Sequence, residues 1–166
     1  QPADYAAVTD NAAYHPGRCA RIVIAGQEAG MLGQIHPLVA ERYGIGAEIF
    51  VAELDFDALL TLTNGERVFH PLPKFPAVSR DLAIVCDDAL TVGQLEACIK
   101  SAAGPLLRKI TLFDIYRGPG VAAGKKSVAF SLELRADDRT LTDDDSAGTT
   151  ERILAALKEQ YGAVLR

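Results

Sequence analysis

From Val128 to Leu134 the chain alternates without interruption. Val128, Phe130, Leu132 and Leu134 fall on one side, and Ser127, Ala129, Ser131, Glu133 and Arg135 on the other. Successive side chains of an extended chain point to opposite faces, so a period of two with one apolar side marks a strand half buried against a core. Upstream, Leu106–Tyr116 is again rich in Leu, Ile, Phe and Tyr. Between the two runs lies the segment Gly118–Lys125, which contains Gly118, Pro119, Gly120 and Gly124. Strand, glycine-rich turn and strand read as a long β-hairpin. Any fold open to this chain must place a core on one face of that hairpin and leave the other for solvent, a neighbour or a ligand.

The elements around it follow from local signals. Asp81–Cys86 reads as a strand. Thr91–Ala103 reads as a helix with Val92, Leu95, Ile99 and Ala102 on one face, opened by a Thr91/Gln94 capping box and stopped by Gly104-Pro105. Thr142 caps a last helix with Asp145 at the capping-box position. Asp143 and Asp144 sit at its positive end, Ile153, Leu154, Leu157 and Tyr161 form its buried stripe, and Gly162 ends it before a short closing strand at residues 163–165. Strand, helix, strand, strand, helix, strand is the split βαβ, ferredoxin-like order, with two helices on one face of a four-stranded antiparallel sheet.

Pro71, Pro73 and Pro76 exclude a helix or central strand and put a stiff linker at about residues 67–77. Before the linker, residues 1–17 are nearly featureless. Ala20–Ala25, Met31–His36 and Glu48–Phe56 read as strands. Pro37–Tyr43 reads as a short helix, and a second helix at Asp57–Leu62 stops at Asn64-Gly65. Gly26, Gly30, Gly33, Gly44 and Gly46 read as turn residues. The expected class is α+β: the tail of a larger antiparallel-sheet domain (1–70) followed by a βαββαβ sandwich (71–166). The start at Gln1 suggests a piece of a longer chain.

Composition narrows the function classes. The chain is 49% hydrophobic and 23% charged, as expected of a packed globular protein. No apolar run approaches the roughly 20 residues of a membrane span, and no signal peptide is visible. Cys19, Cys86 and Cys98 are odd in number and scattered, which fits free thiols in a reducing compartment and makes the cytoplasm the default. The net charge of −5 is unevenly spread: residues 1–70 hold nine acids against four bases, and residues 71–166 thirteen of each. Five of those acids cluster between Asp137 and Asp145, leaving the rest of the second half basic.

Motifs of catalysis or metal binding are wanting. His15, His36 and His70 each precede a proline, without Cys-x-x-Cys or His-x-x-x-His spacing. Gly118–Lys126 departs from the P-loop at Pro119 and Lys126, and there is no Gly-x-Ser-x-Gly elbow. The expectation is therefore no catalytic residue, no metal ligand and no cofactor of the chain's own. What remains is a basic and aromatic set in the second half: Lys74, Phe75, Arg80, Phe113, Tyr116, Arg117, Lys125, Lys126, Phe130, Arg135 and Arg139. Sheets of this topology bind RNA by stacking bases on aromatics while Lys and Arg take phosphates. Phe130 falls on the core side by alternation.

Taken together, YHPGRCARI (14–22), GMLGQIHP (30–37), FVAELDFDAL (50–59), LPKFPAVSRDLAIV (72–85), LFDIYRG (112–118), KKSVAFSL (125–132), RTLTDDD (139–145) and the final Leu165-Arg166 resemble the C-terminal region of the bacterial phenylalanyl-tRNA synthetase β subunit. The resemblance implies a non-catalytic class II synthetase-like portion followed by a ferredoxin-fold anticodon-binding domain. It also implies a cytoplasmic α2β2 enzyme, with the active site on the α subunit and with ATP, magnesium, phenylalanine and tRNA-Phe as its ligands. A working class II core ends on a glycine-rich strand whose arginine holds ATP. Here Phe50-Val51-Ala52-Glu53-Leu54 has leucine in that place, which removes the bidentate phosphate contact.

The expected function is thus anticodon stem-loop binding within phenylalanine–tRNA ligase. Arg80, Arg117, Lys125, Lys126 and Arg135 are expected to meet phosphates, and Tyr116 or Phe113 to stack a base. Met31 or Phe50 would face the α subunit. The alternative is a ferredoxin-like regulatory module that binds a small ligand such as an amino acid.

Overall fold

The computed structural model describes residues 3–62, 69 and 71–166, and the chain divides into two compact units, 1–69 and 70–166. It is mixed α+β with two antiparallel four-stranded sheets.

In the first unit, β1 (Ala3–Ala7), β2 (Tyr14–Ile24), β3 (Gln27–Ile35) and β4 (Phe50–Leu54) pair in sequence order. Two short helices, α1 (Pro37–Arg42) and α2 (Phe56–Thr61), follow β3 and β4. Within the apparently featureless start, β1 and the first residues of β2 are thus sheet. The periodicity was masked because β2 carries Pro16 and Gly17 inside an irregular register between Tyr14 and Cys19, where a missing N–H and a glycine are tolerated. Gly30 and Gly33 are not turn residues but lie within β3. A Cβ on Gly30, whose φ is +148°, would stand 2.1 Å from the Glu53 carbonyl oxygen, and one on Gly33 would stand 2.6 Å from that of Arg18. Close approach of the neighbouring backbones is what requires glycine there. β4 is shorter than the strand expected over 48–56, since Phe56 already begins α2 behind the Asp55 cap. Val8, Tyr14 and Cys19 form a small core with Met31 and Ile35 against it. Every residue of β4 is exposed.

The Asn64-Gly65 turn and His70 lie outside the described residues, and 71–77 has neither helix nor strand. The second unit comprises β5 (Val78–Asp87), α3 (Val92–Ala103), a 3-10 turn at Gly104–Leu106, β6 (Leu107–Tyr116), β7 (Lys125–Leu134), α4 (Asp143–Tyr161) and β8 (Val164–Leu165). The sheet order is β6-β7-β5-β8, all neighbours antiparallel. Of the two hairpin strands, β6 is therefore an edge and β7 is central beside β5. Both expected capping boxes form, Thr91 with Gln94 and Thr142 with Asp145.

The core lies between helices and sheet. Leu82, Ile84, Val128, Phe130 and Leu132 from the strands meet Leu95 and Ile99 of α3 and Ile153 and Leu157 of α4, all essentially inaccessible. Each such side chain contributes about 1.5–3 kcal/mol on burial. Because Leu82 pairs with Phe130 and Ile84 with Val128, the alternate residues of the sheet face away from the helices. No described helix is long and apolar enough to cross a membrane.

Candidate nucleic-acid interface

The helix-free face of the second sheet is assembled by register. β5 contributes Ser79, Asp81, Ala83, Val85 and Asp87, opposite Glu133, Ser131, Ala129, Ser127 and Lys125 of β7. On β6, Lys109 and Thr111 stand opposite Glu133 and Ser131. A register shift between Leu112 and Asp114 then brings Asp114 and Tyr116 opposite Ala129 and Ser127. Phe113 is the extra residue of this bulge and is 58% exposed. The face thus mixes small and hydroxyl-bearing side chains with four carboxylates, Asp81, Asp87, Asp114 and Glu133, and the ammonium groups of Lys109 and Lys125. Ser79, Lys109, Thr111, Ser131, Glu133 and Ala77 line a shallow cavity of about 290 Å³, in which the Ser79 and Ser131 hydroxyls are 3.4 Å apart. Hydroxyls that both donate and accept, with an ammonium beside the Glu133 carboxylate, suit ribose hydroxyls and leave Lys109 as the one group there that attracts a phosphate.

Tyr116 sits at the other end of the same face. Its hydroxyl donates to the Pro119 carbonyl oxygen at 3.2 Å, and the Arg166 guanidinium lies 5.2 Å from its ring centroid. Gly118 makes room for it: a Cβ there would come within 2.7 Å of the Tyr116 hydroxyl. The ring is half buried, and below it Ser127 and Ala129 are buried.

The cations expected to contact RNA divide into two groups. Arg117 and Lys125 are displayed, each in a surface ion pair: Arg117 Nε with Asp88 at 2.7 Å and Lys125 Nζ with Asp87 at 2.7 Å. Such pairs are worth about 0–1 kcal/mol and exchange readily for another anion. The other three are tied into the fold. Lys126 is 5% exposed, and its ammonium donates to the carbonyl oxygens of Asp88, at 2.9 Å, and Leu90. Arg80 lies on the helix side, in register with Leu132, and donates to Asp143 and to Ser146 Oγ at the start of α4. Arg135 keeps about a fifth of its side chain exposed, beside Glu133 at 3.7 Å. The exposure assumed for Lys126 and Arg135 is not what the fold gives them, whereas Arg80 keeps 42% of its side chain exposed, on the helix side of the sheet.

Two cations on the open face escaped the sequence reading, Lys109 and Arg166. Among the described residues neither forms an ion pair. The parity of β6 could have flagged Lys109. Arg166 is placed by its backbone N–H, which donates to Ala83.

A family model described as "Ferredoxin-fold anticodon binding domain" matches residues 73–166, more than half of the chain. The chain belongs to this family. In this anticodon-binding-domain family the sheet just described is the matched unit. Residues 1–56 match a second model, "Phenylalanyl tRNA synthetase beta chain CLM domain". Curated relatives are phenylalanine–tRNA ligase β subunits. That of Symbiobacterium thermophilum is 45% identical over 92% of this chain and 17% of its own length. That of Bacillus subtilis is 44% identical over 92% and 19%, and that of Clostridium tetani 38% identical over 100% and 21%. The chain spans about a fifth of the length of the relatives it matches.

In the first unit, Glu28, Gly30, Met31, Glu53, Leu54 and Asp55 line a cavity of about 400 Å³. Three carboxylates there repel a nucleotide triphosphate, and exposed Leu54 supplies no guanidinium. Cys19, Cys86 and Cys98 are buried and free, and burial pushes the Cys86 and Cys98 thiols above their ordinary range, away from the thiolate.

Proposed function

We propose that the chain is the tRNA-binding, non-catalytic part of a phenylalanine–tRNA ligase β subunit. Residues 71–166 form the anticodon-binding domain, and residues 1–70 are part of a class II-like scaffold. The anticodon loop lies along the open face of the second sheet. Tyr116 stacks one base, Arg117 and Lys125 exchange their aspartate partners for phosphates, and the cavity beside Lys109 takes backbone oxygens further along the strand. Lys126 and Arg80 act behind the face: Lys126 fixes the loop that carries Asp88, and Arg80 fixes the start of α4, while Arg135 stands beside Glu133 just past the end of β7. The observation that carries this reading is the coincidence of the anticodon-binding-domain match with a helix-free, hydroxyl-rich sheet face bearing an accessible aromatic.

The first unit has a different role in this reading. Phe50, Leu54, Phe56, Tyr43 and Leu38 are all more than half exposed, which is a large apolar surface for so small a unit. Phe50 and the edge strand β4 pack on the rest of the enzyme, with the α subunit of an α2β2 assembly as partner. Met31 instead belongs to the small internal core, where it accepts a hydrogen bond from Asn11. The whole enzyme uses ATP and magnesium in the cytoplasm. The acid-lined cavity beside Leu54 does not fit the ATP phosphates, so no catalytic step is assigned to this chain.

The test is direct binding of the chain to a tRNA-Phe anticodon stem-loop by fluorescence anisotropy at low salt, with a stem-loop of altered loop sequence as control. Preference for the cognate loop and weakening with salt are expected. Equal affinity for both loops, or thermal stabilisation by free phenylalanine without RNA, would favour the small-ligand module instead.

A further inference from the structure

We infer that Arg166 is the second wall of a base-binding slot whose first wall is Tyr116; the inference rests on the anticodon-loop reading above. Arg166 belongs to the open face by register, because Ile84 pairs with Leu165 and the next backbone N–H, that of Arg166, donates to Ala83. Tyr116 reaches the same face from the opposite edge, opposite Ser127. The two side chains meet across the central strands, guanidinium over ring at 5.2 Å.

The two walls differ in how firmly they are held. Tyr116 is tied by its hydroxyl to the Pro119 carbonyl and folded back over Gly118. Arg166 is exposed and has no carboxylate partner among the described residues. The ring is therefore the fixed wall and the guanidinium the movable one. A planar guanidinium stacks on nucleobases as it does on aromatic rings. An exposed cation–π contact is weaker than a base–aromatic stack, so lifting Arg166 costs less than inserting a base between the two planes returns. In the RNA-free protein Arg166 rests on the ring. In the complex it closes over the inserted base, its charge close to the adjacent phosphate.

The test uses the 166-residue chain and anticodon stem-loops carrying 2-aminopurine at each loop position in turn. For the parent chain, one position is quenched on binding. Arg166→Ala should weaken binding about fivefold and relieve part of the quenching at that same position, with an unchanged melting temperature. Arg166→Lys keeps the charge but not the plane, and should bind nearly as weakly as the alanine variant. In a Tyr116→Ala background, Arg166→Ala should cost less than about twofold, because the slot is already lost. The slot is overturned by unchanged or tighter binding of Arg166→Ala, by full rescue with lysine, or by an equal loss in the Tyr116→Ala background. Failure of the parent chain to bind any stem-loop overturns the anticodon-loop reading and the slot with it. Normal parent binding with an indifferent Arg166 overturns the slot alone.

Discussion

Lys126 Nζ donates to the main-chain carbonyl oxygen of Asp88 at 2.9 Å, while the Asp88 side chain faces the other way, to Arg117. One aspartate thus joins a buried ammonium that holds the β5–α3 loop to a surface guanidinium that can leave. Neighbouring lysines at the start of β7 consequently have different roles.

Lys126→Met should destabilise the second unit by about 1.5–3 kcal/mol, because hydrogen bonds from a charged donor are lost and two carbonyls are stranded. Lys125→Ala removes only a surface pair and should cost about 0–1 kcal/mol. Urea unfolding of the two variants separates them.

Releasing the displayed cations should strengthen binding. Asp87→Asn frees Lys125 and Asp88→Asn frees Arg117, with the backbone contacts of Lys126 intact. The double variant should bind the stem-loop more tightly, by about 2- to 10-fold, with a steeper salt dependence. Anisotropy titrations at several salt concentrations read both.

How far the molecule was legible in its sequence depends on how local each signal is. The second unit's strands and helices are set by periodicity and capping within ten or so residues, and Phe130 was readable as core. Lys126 shares the parity of Val128, and Arg80 that of Leu82, so alternation alone already pointed both towards the helices. Their charge masked that signal. The face of Tyr116 could not be read, because the bulge at Phe113 shifts the alternation and depends on pairing with β7. The first unit was least legible: β1 is Ala3–Ala7, nearly without apolar contrast, and β2 is broken by Pro16 and Gly17.

Gly30→Ala should destabilise the first unit by about 2 kcal/mol or more, since the new Cβ meets the Glu53 carbonyl and the backbone is held at positive φ. Gly26→Ala has positive φ but open space, and should cost less. Differential hydrogen exchange of β3 and β4 amides is the readout.

Acid should loosen α4 first. Asp145 accepts from the Arg139 guanidinium and from Thr142, which holds its carboxyl well below the usual carboxylate range. A carboxylate depressed in the folded state stabilises fully above its unfolded pKa of about 3.9, and that contribution is lost as pH falls below it. Asp145→Asn should therefore lower the melting temperature at pH 7, and the gap to the parent should close as pH drops well below 4. Thr142→Ala, which removes the cap itself, should cost about 1 kcal/mol.

The most direct test of the account is the affinity of the 166-residue chain for a tRNA-Phe anticodon stem-loop, measured with and without Tyr116→Ala. Binding that prefers the cognate loop and falls about tenfold or more in the variant, with no loss of fold, is the predicted result. Equal affinity for cognate and altered loops, unchanged by Tyr116→Ala, would contradict it.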